Sequence, residues 1–445
     1  MNKIISVILI LFAISNYAQE NIIHLNLNKS LEMALEGNHD IKKASLNHEK
    51  AEEQVRQAYG SSLFPSIEGS GNYSRAIKKP VFVFDFMGSS QTFEVGSDNS
   101  LTFQVNAEQP LFTGAMFLAV RIAETFADIS EKNENYTKVD MISKVKEAYY
   151  TILLSKNMIR LSEFQLKRAE ENKNNTESMY NAGFVAEYDY IKAKVQYQNS
   201  IPALSNSKTQ FHLAENNLKI LLGLELNQKI VINDSLTFSP KLIPNFEDGL
   251  DITLSQNQLI QQAELDAEMK DLVASYEFTK HFPELNAFGN WQTQAQESDV
   301  RNFKDWRYKN SFTVGLNMRV PIFKGFTIDS QVEQAEIDHK IALEELYKTR
   351  KTLKNQYENI VANIDDTKLK IDAYRSALDE ANRAYDIAKK RYETGLGTQL
   401  ELTDSIVGLS RAEYNYQSSV FEYNVLLSQL DLVLGKSVNE LLTSN

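Results

Sequence analysis

Cysteine is absent from this chain, proline occurs eight times and histidine six times in 445 residues. The missing cysteine excludes a disulfide framework and a thioether-linked lipid at a mature N-terminus. Six histidines leave little for a metal site: His39 and His48 stand nine apart without a third ligand and fit a solvated helix face. Nine methionines, unclustered with histidine, give no support for a copper-specific protein. Basic residues are outnumbered, 47 against 59, for a net charge of −12, which disfavours a nucleic-acid partner. Beyond the N-terminus no apolar run approaches the ~20 residues of a spanning helix, so a membrane location requires a β-barrel.

Catalytic motifs fail as well. Gly435-Lys436-Ser437 resembles the end of a phosphate loop, but Leu430 stands where its first glycine belongs. Ser205-x-x-Lys208 and Ser97-Asp98-Asn99 come in the wrong order for a penicillin-recognising enzyme, and no Lys-Thr-Gly accompanies them. Gly69-x-Gly71 ends in Ser74 rather than the third glycine of a dinucleotide loop. No Gly-x-Ser-x-Gly occurs. The chain therefore presents no catalytic site and calls for no cofactor or metal.

The N-terminus carries an address. Met1-Asn2-Lys3 is a short basic start, Ile4 to Ile14 an apolar stretch, and Asn16-Tyr17-Ala18 ends on a small residue. That layout predicts a secretory signal peptide over residues 1–18, cleaved after Ala18.

Glycine and proline are also missing from two long windows, Ala115 to Ala182 and Phe326 to Thr394. As continuous helix each would span roughly 100 Å at ~1.5 Å per residue. The second window carries a seam of Leu346, Leu353, Tyr357, Ile360, Ile364, Ile371, Tyr374, Leu378, Ala381, Tyr385, Ala388 and Tyr392. Steps of three, four and seven predict supercoiling against neighbouring helices. The first shows it less cleanly through Ile122, Phe126, Ile129 and Tyr136, then Ile142, Val145, Tyr149 and Ile152. After Gly183 and Gly395 the chain is expected to return as helix to Gly223 and Gly435, with a kink at Pro202.

The landmarks come twice, about 212 residues apart. Gln109-Pro110-Leu111-Phe112-Thr113-Gly114 returns as Val320-Pro321-Ile322-Phe323-Lys324-Gly325, and Tyr180-x-x-Gly183 as Tyr392-x-x-Gly395. Leu221-Leu222-Gly223 returns as Val433-Leu434-Gly435. This duplication predicts two internal repeats, residues 19–223 and 251–445, joined by an irregular segment at 224–250 that contains Ile230-Val231-Ile232. Each repeat begins with two amphipathic strands, Ser66–Ser74 and Leu101–Glu108, then Leu285–Gln292 and Ser311–Arg319, in which apolar and polar residues alternate. Residues 76–100 and 295–308 read as polar loops joining each pair. Alternation of this kind fits a barrel with lipid outside and water inside. It also fits a two-layer soluble sheet. Four strands cannot close a barrel, so the membrane reading needs several chains.

In this order and spacing the landmarks resemble the TolC-type outer-membrane efflux channels: signal peptide, doubled strand-strand-helix-turn-helix unit, Pro-Leu/Ile-Phe-x-Gly before each long helix and Tyr-x-x-Gly at its end. The resemblance covers about residues 25–440. It implies an α+β membrane protein in the cell outer membrane, extending into the periplasm. Three protomers of four strands each would close a 12-stranded β-barrel continuous with a long coiled α-helical barrel. It further implies a passive exit duct for efflux or type I secretion. Its partners would be outer-membrane lipid, a periplasmic adaptor and an inner-membrane transporter of RND or ABC type.

Residue by residue, the resemblance places a periplasmic gate at Asp189, Tyr392, Glu401 and Asp404. Asp189 and Tyr392 match a hydrogen-bonded pair between neighbouring hairpins, and Glu401 and Asp404 match two constriction carboxylates. Gly397 departs from the pattern, standing where an arginine adds a second link. Gly183, Val185, Gly395 and Thr398 mark the turns expected to meet the adaptor. The alternative from the residues alone is a structural or adhesive coiled-coil protein of the cell surface, but the strands break the heptad register twice.

Overall fold

The computed structural model describes residues 22–86 and 88–443, so the expected signal peptide over 1–18 lies outside the described residues. The elements run β1 (Ile23–Leu25), α1 (Leu27–Gly37), α2 (His39–Leu63), β2 (Ser66–Arg75), β3 (Val81–Phe86), β4 (Ser89–Glu94), β5 (Asn99–Phe112), α3 (Met116–Asn181) and α4 (Glu187–Leu221). There follow β6 (Ile230–Ile232), α5 (Phe246–Gln256), α6 (Gln258–Thr279), β7 (Glu284–Glu297) and β8 (Lys309–Arg319). Last come α7 (Thr327–Glu393), α8 (Gln399–Val433) and α9 (Val438–Thr443). The chain divides into two compact units: a helical one of Lys132–Gln262, Tyr347–Asn445 and the N-terminal residues through Leu46, and a strand-bearing one of Asn47–Glu131 and Ala263–Leu346. Among the described residues no helix is long and apolar enough to cross a membrane.

The two windows without glycine or proline are α3 and α7, of 66 and 67 residues, and the returning α4 and α8 have 35 each. Pro202 lies inside α4 without ending it. The α7 seam is buried at Leu353, Tyr357, Ile360, Ile364 and Ile371, with Thr367 filling its gap. The α3 seam is buried at Ile142, Val145, Tyr149 and Ile152 but not at Phe126, which is 41% exposed. There the covered position is Thr125, one residue earlier, whose hydroxyl donates back to the Arg121 carbonyl at 3.0 Å.

In the helical unit the largest fully buried side chains are Tyr149, Tyr357 and Tyr423. Each fastens the stretch between β6 and α5. Tyr149 donates to Asp234 at 2.5 Å, Tyr423 Oη accepts from the Lys241 amide at 3.0 Å, and Tyr357 donates to the Asn245 carbonyl at 3.5 Å. A buried phenol needs such a partner, because leaving the group unsatisfied costs about 1–3 kcal/mol. Gly249 of α5 lies directly under Tyr357, where a Cβ would stand 2.0 Å from the phenol oxygen. The expected irregular segment at 224–250 is thus more ordered than the sequence reading allowed. Ile230–Ile232 pairs in parallel with Ile23–Leu25, and α5 starts inside it at Phe246.

Two asparagines do matching jobs in this unit. Asn38 caps α2, accepting from the Asp40 and Ile41 amides, and donates to the Leu221 carbonyl at 2.8 Å. Asn257 caps α6, accepting from the Leu259 amide, and donates to the Val433 carbonyl at 2.8 Å. Each satisfies orphan groups at two helix ends at once.

The strand-bearing unit holds a four-stranded antiparallel sheet in the order β2-β5-β7-β8. The alternation read from sequence is present: Ile67 and Tyr73 of β2, Phe103 and Val105 of β5, Trp291 of β7 and Phe312 to Met318 of β8 leave an exposed apolar face. Two glycines receive aromatic rings across the ladder, Gly71 under Phe103 and Gly315 under Phe288. On the polar face Asn290 donates to Asn106. At the loop end of the sheet Arg75 pairs with Asp299 at 2.7 Å and Lys79 with Asp98 at 2.8 Å. That pairing, with the Asp299 amide, holds the Asp98 carboxyl below its usual range. The loop expected at 76–100 is corrected: it contains the hairpin β3–β4, paired from Val81↔Glu94 to Phe86↔Ser89.

Candidate functional site

All eight residues singled out from the sequence lie around two turns of the helical unit. Each turn closes by the same backbone device. At the end of α3 the Gly183 amide donates to Tyr180 O at 2.9 Å and the Phe184 amide to Met179 O at 2.8 Å. At the end of α7 the Gly395 amide donates to Tyr392 O at 3.1 Å and the Leu396 amide to Arg391 O at 2.9 Å. These paired bonds need a left-handed residue, and the glycines have φ of 76° and 73°. Nothing lies within 4 Å of a Cβ at either, so conformation rather than space requires glycine there.

Val185 is half-buried and Thr398 exposed. Thr398 is the N-cap of α8, its side chain accepting from the Glu401 amide at 3.2 Å. Asp189, half-buried, sits with Glu187 in the first turn of α4, where backbone amides favour negative charge. Its carboxylate makes no hydrogen bond or ion pair among the described residues. Tyr392 does not reach Asp189 within the chain: its phenol donates to Met179 Sδ at 3.6 Å, joining the ends of the two long helices. The ring packs on a buried cluster of Tyr385, Leu402, Ile406 and Leu409. Glu401 and Asp404 are both exposed on α8.

Several contacts here were not read from the sequence. Arg391 donates to the Leu396 carbonyl at 3.2 Å and lies 3.6 Å from Glu401. Gly397 donates its amide to the Arg391 carbonyl at 2.9 Å, and a Cβ there would meet Arg391 Cβ at 3.0 Å. Tyr180 and Tyr190 stack across the first turn at 5.8 Å, and Tyr190 donates to Glu177 at 3.1 Å, which raises its pKa. Deeper along the hairpins the Arg168 guanidinium is sandwiched between Phe164 and Tyr385, 3.5 and 3.4 Å from the ring centres. Burial lowers its pKa, and Arg168 Nη1 and Asn172 Oδ1 have no hydrogen-bond partner among the described residues. The one sequence signal was Phe164 four residues before Arg168 on a helix face. Among the described residues no group of three or more His, Asp or Glu is placed to hold a metal.

The family model described as outer membrane efflux protein matches residues 30–224 and 249–432. Outer membrane protein TolC of Escherichia coli K12 is 23% identical over 428 residues, 92% of this chain and 81% of that protein. The probable efflux pump outer membrane protein TtgC of Pseudomonas putida is 25% identical over 397 residues, 87% of this chain and 78% of that protein. Among solved structures, the Campylobacter jejuni CmeC outer membrane channel superposes with a TM-score of 0.79 at 19% identity, covering 92% of this chain and 85% of that one. That likeness carries the fold.

Proposed function

Because the chain belongs to the outer membrane efflux protein family, we propose that it is the passive exit duct of a tripartite efflux or type I secretion system. Three copies close a 12-stranded barrel in the outer membrane and a helical barrel below it, with two repeats in each chain. The observation that carries this reading is the sheet β2-β5-β7-β8. Its outer strands β2 and β8 are unpaired on one side among the described residues, and its apolar face is exposed. Open edges and an uncovered apolar face are unstable alone and are satisfied by closure with lipid outside.

In the helical unit, Asp189 of one chain and Tyr392 of the next hold the closed state, and Glu401 with Asp404 line the constriction. Tyr392 must exchange its Met179 contact for the neighbouring carboxylate, a charge-assisted bond worth roughly 1.5–3 kcal/mol. Gly183, Val185, Gly395 and Thr398 form the face offered to a periplasmic adaptor, itself coupled to an inner-membrane RND or ABC transporter. No step of bond making or breaking falls to this chain.

The test is assembly and conductance together. Detergent-solubilised protein is expected to scatter light as a trimer and to form channels in planar bilayers. Tyr392→Phe with Asp189→Ala is expected to raise single-channel conductance, and cysteines at Val185 and Thr398 to crosslink to the adaptor. A monomer that inserts no channels overturns the duct; wild-type conductance in the double variant overturns only the gate.

A further inference from the structure

Arg168 and Asn172 stand one turn apart on α3, and both line a cavity of about 330 Å³ walled also by α7 and α8. Asn172 is 5% exposed, and its Oδ1, an acceptor, has no partner among the described residues. The same holds for Arg168 Nη1, a donor. Helix neighbours at this spacing could satisfy each other. They do not, because the guanidinium is clamped between the Phe164 and Tyr385 rings, 3.5 and 3.4 Å from their centres. A buried polar atom left unpaired costs more than a made hydrogen bond returns, so each such atom calls for a partner. The cavity is some tenfold larger than the roughly 30 Å³ that one water takes in the liquid. Its far wall is apolar, with Leu402 and Ile406 of α8. Its charged lining is balanced: Arg168 and Lys389 stand against Glu171 and Glu393, and Lys389 pairs with Glu393 at 4.0 Å.

We propose that this cavity binds a small neutral aromatic alcohol. Its hydroxyl accepts from Arg168 Nη1 and donates to Asn172 Oδ1, and its ring lies against Leu402 and Ile406. A hydroxyl both donates and accepts, which is what one orphaned donor beside one orphaned acceptor requires. A carboxylate would set an acceptor against Asn172 Oδ1, and an ammonium would set donors against Arg168 Nη1. The balanced lining favours neither charge. A cavity of a few hundred Å³ with an apolar wall and a few convergent polar groups is the usual form of a small-ligand site. The assignment rests on these two atoms and not on the duct or its gate, so a binding measurement tests it separately from conductance.

Isothermal titration of the full chain with phenol as probe tests it, with the heat of phenol entering protein-free micelles subtracted. Saturable binding is expected. Anisole, which keeps the acceptor and loses the donor, and benzoate are each expected to bind at least tenfold more weakly. Asn172→Leu and Arg168→Met are each expected to weaken phenol tenfold or more. Lys144→Gln, on an exposed part of α3 away from the cavity, leaves binding unchanged. Leucine matches asparagine in size and removes the orphaned acceptor, so Asn172→Leu carries the test if Arg168→Met does not fold. No saturable binding to the wild type, or undiminished binding to the folded variants, overturns the proposal. Anisole binding as tightly as phenol, or benzamide binding tenfold tighter, overturns the alcohol assignment.

Discussion

Arg391 and Glu401 face each other across the turn between α7 and α8, Nε to Oε2 at 3.6 Å, while the same guanidinium holds the Leu396 carbonyl. The constriction acid proposed at Glu401 thus carries its own counter-ion, and among the described residues Asp404 has none. Gly397 belongs to this arrangement, since a side chain there would crowd Arg391.

Replacing Arg391 with Gln unmasks Glu401. In planar bilayers the reversal potential under a salt gradient is expected to move toward stronger cation preference, and Glu401→Gln in the same background to reverse the move. Both partners are half exposed, so the stability change stays within about 1 kcal/mol. An unchanged reversal potential removes Glu401 from the pore.

At Gly183 and Gly395 alanine would have to hold a left-handed conformation, costing roughly 1–2 kcal/mol each. Gly183→Ala and Gly395→Ala are expected to lower the thermal unfolding midpoint. Asparagine, which tolerates that conformation, is expected to recover part of the loss.

Gly249→Ala puts a methyl 2.0 Å from the Tyr357 phenol oxygen and 2.7 Å from Cζ. Overpacking of this kind costs about 1–3 kcal/mol. Denaturant unfolding is expected to show a lower midpoint, partly restored by adding Tyr357→Phe.

Alkaline pH acts on the buried phenols. Tyr150 is pushed up to about 12 by burial and Asp431, and Tyr149 is raised by burial and its bond to Asp234. A phenol whose folded pKa exceeds its unfolded value of about 10 stabilises fully below pH 10. That contribution is lost as pH rises through the folded pKa. The melting temperature is expected to hold to about pH 9.5 and then fall, less steeply in Tyr150→Phe than in wild type.

Much of the architecture was legible because its signals are local. Windows without glycine or proline delimit α3 and α7 to within a residue or two, and period-2 alternation marks β2, β5, β7 and β8. The β3–β4 hairpin escaped because Val81-Phe82-Val83-Phe84 is an unbroken apolar run inside a stretch otherwise read as polar. The pairing of β1 with β6 was illegible, since three residues a side carry no periodic signal. In the candidate site the glycine turns were readable from their backbone chemistry. Tyr392 on Met179 and Arg168 on Tyr385 were not, because those contacts join residues more than 200 apart in the chain and depend on how the hairpins pack.

The three tyrosines that fasten the stretch after β6 also fix when it can set. Asp234 finds its partner early, since Tyr149 precedes it by 85 residues. Asn245 must wait for Tyr357, 112 residues downstream, and Lys241 for Tyr423, 182 downstream. Contacts over such separations pay loop closure before they return any stability, and chains are made from the N-terminus. The first half therefore stays incompletely latched until α8 has been delivered. A chain cut short before residue 357 keeps only the earliest of the three latches, so finishing the fold is coupled to finishing the chain.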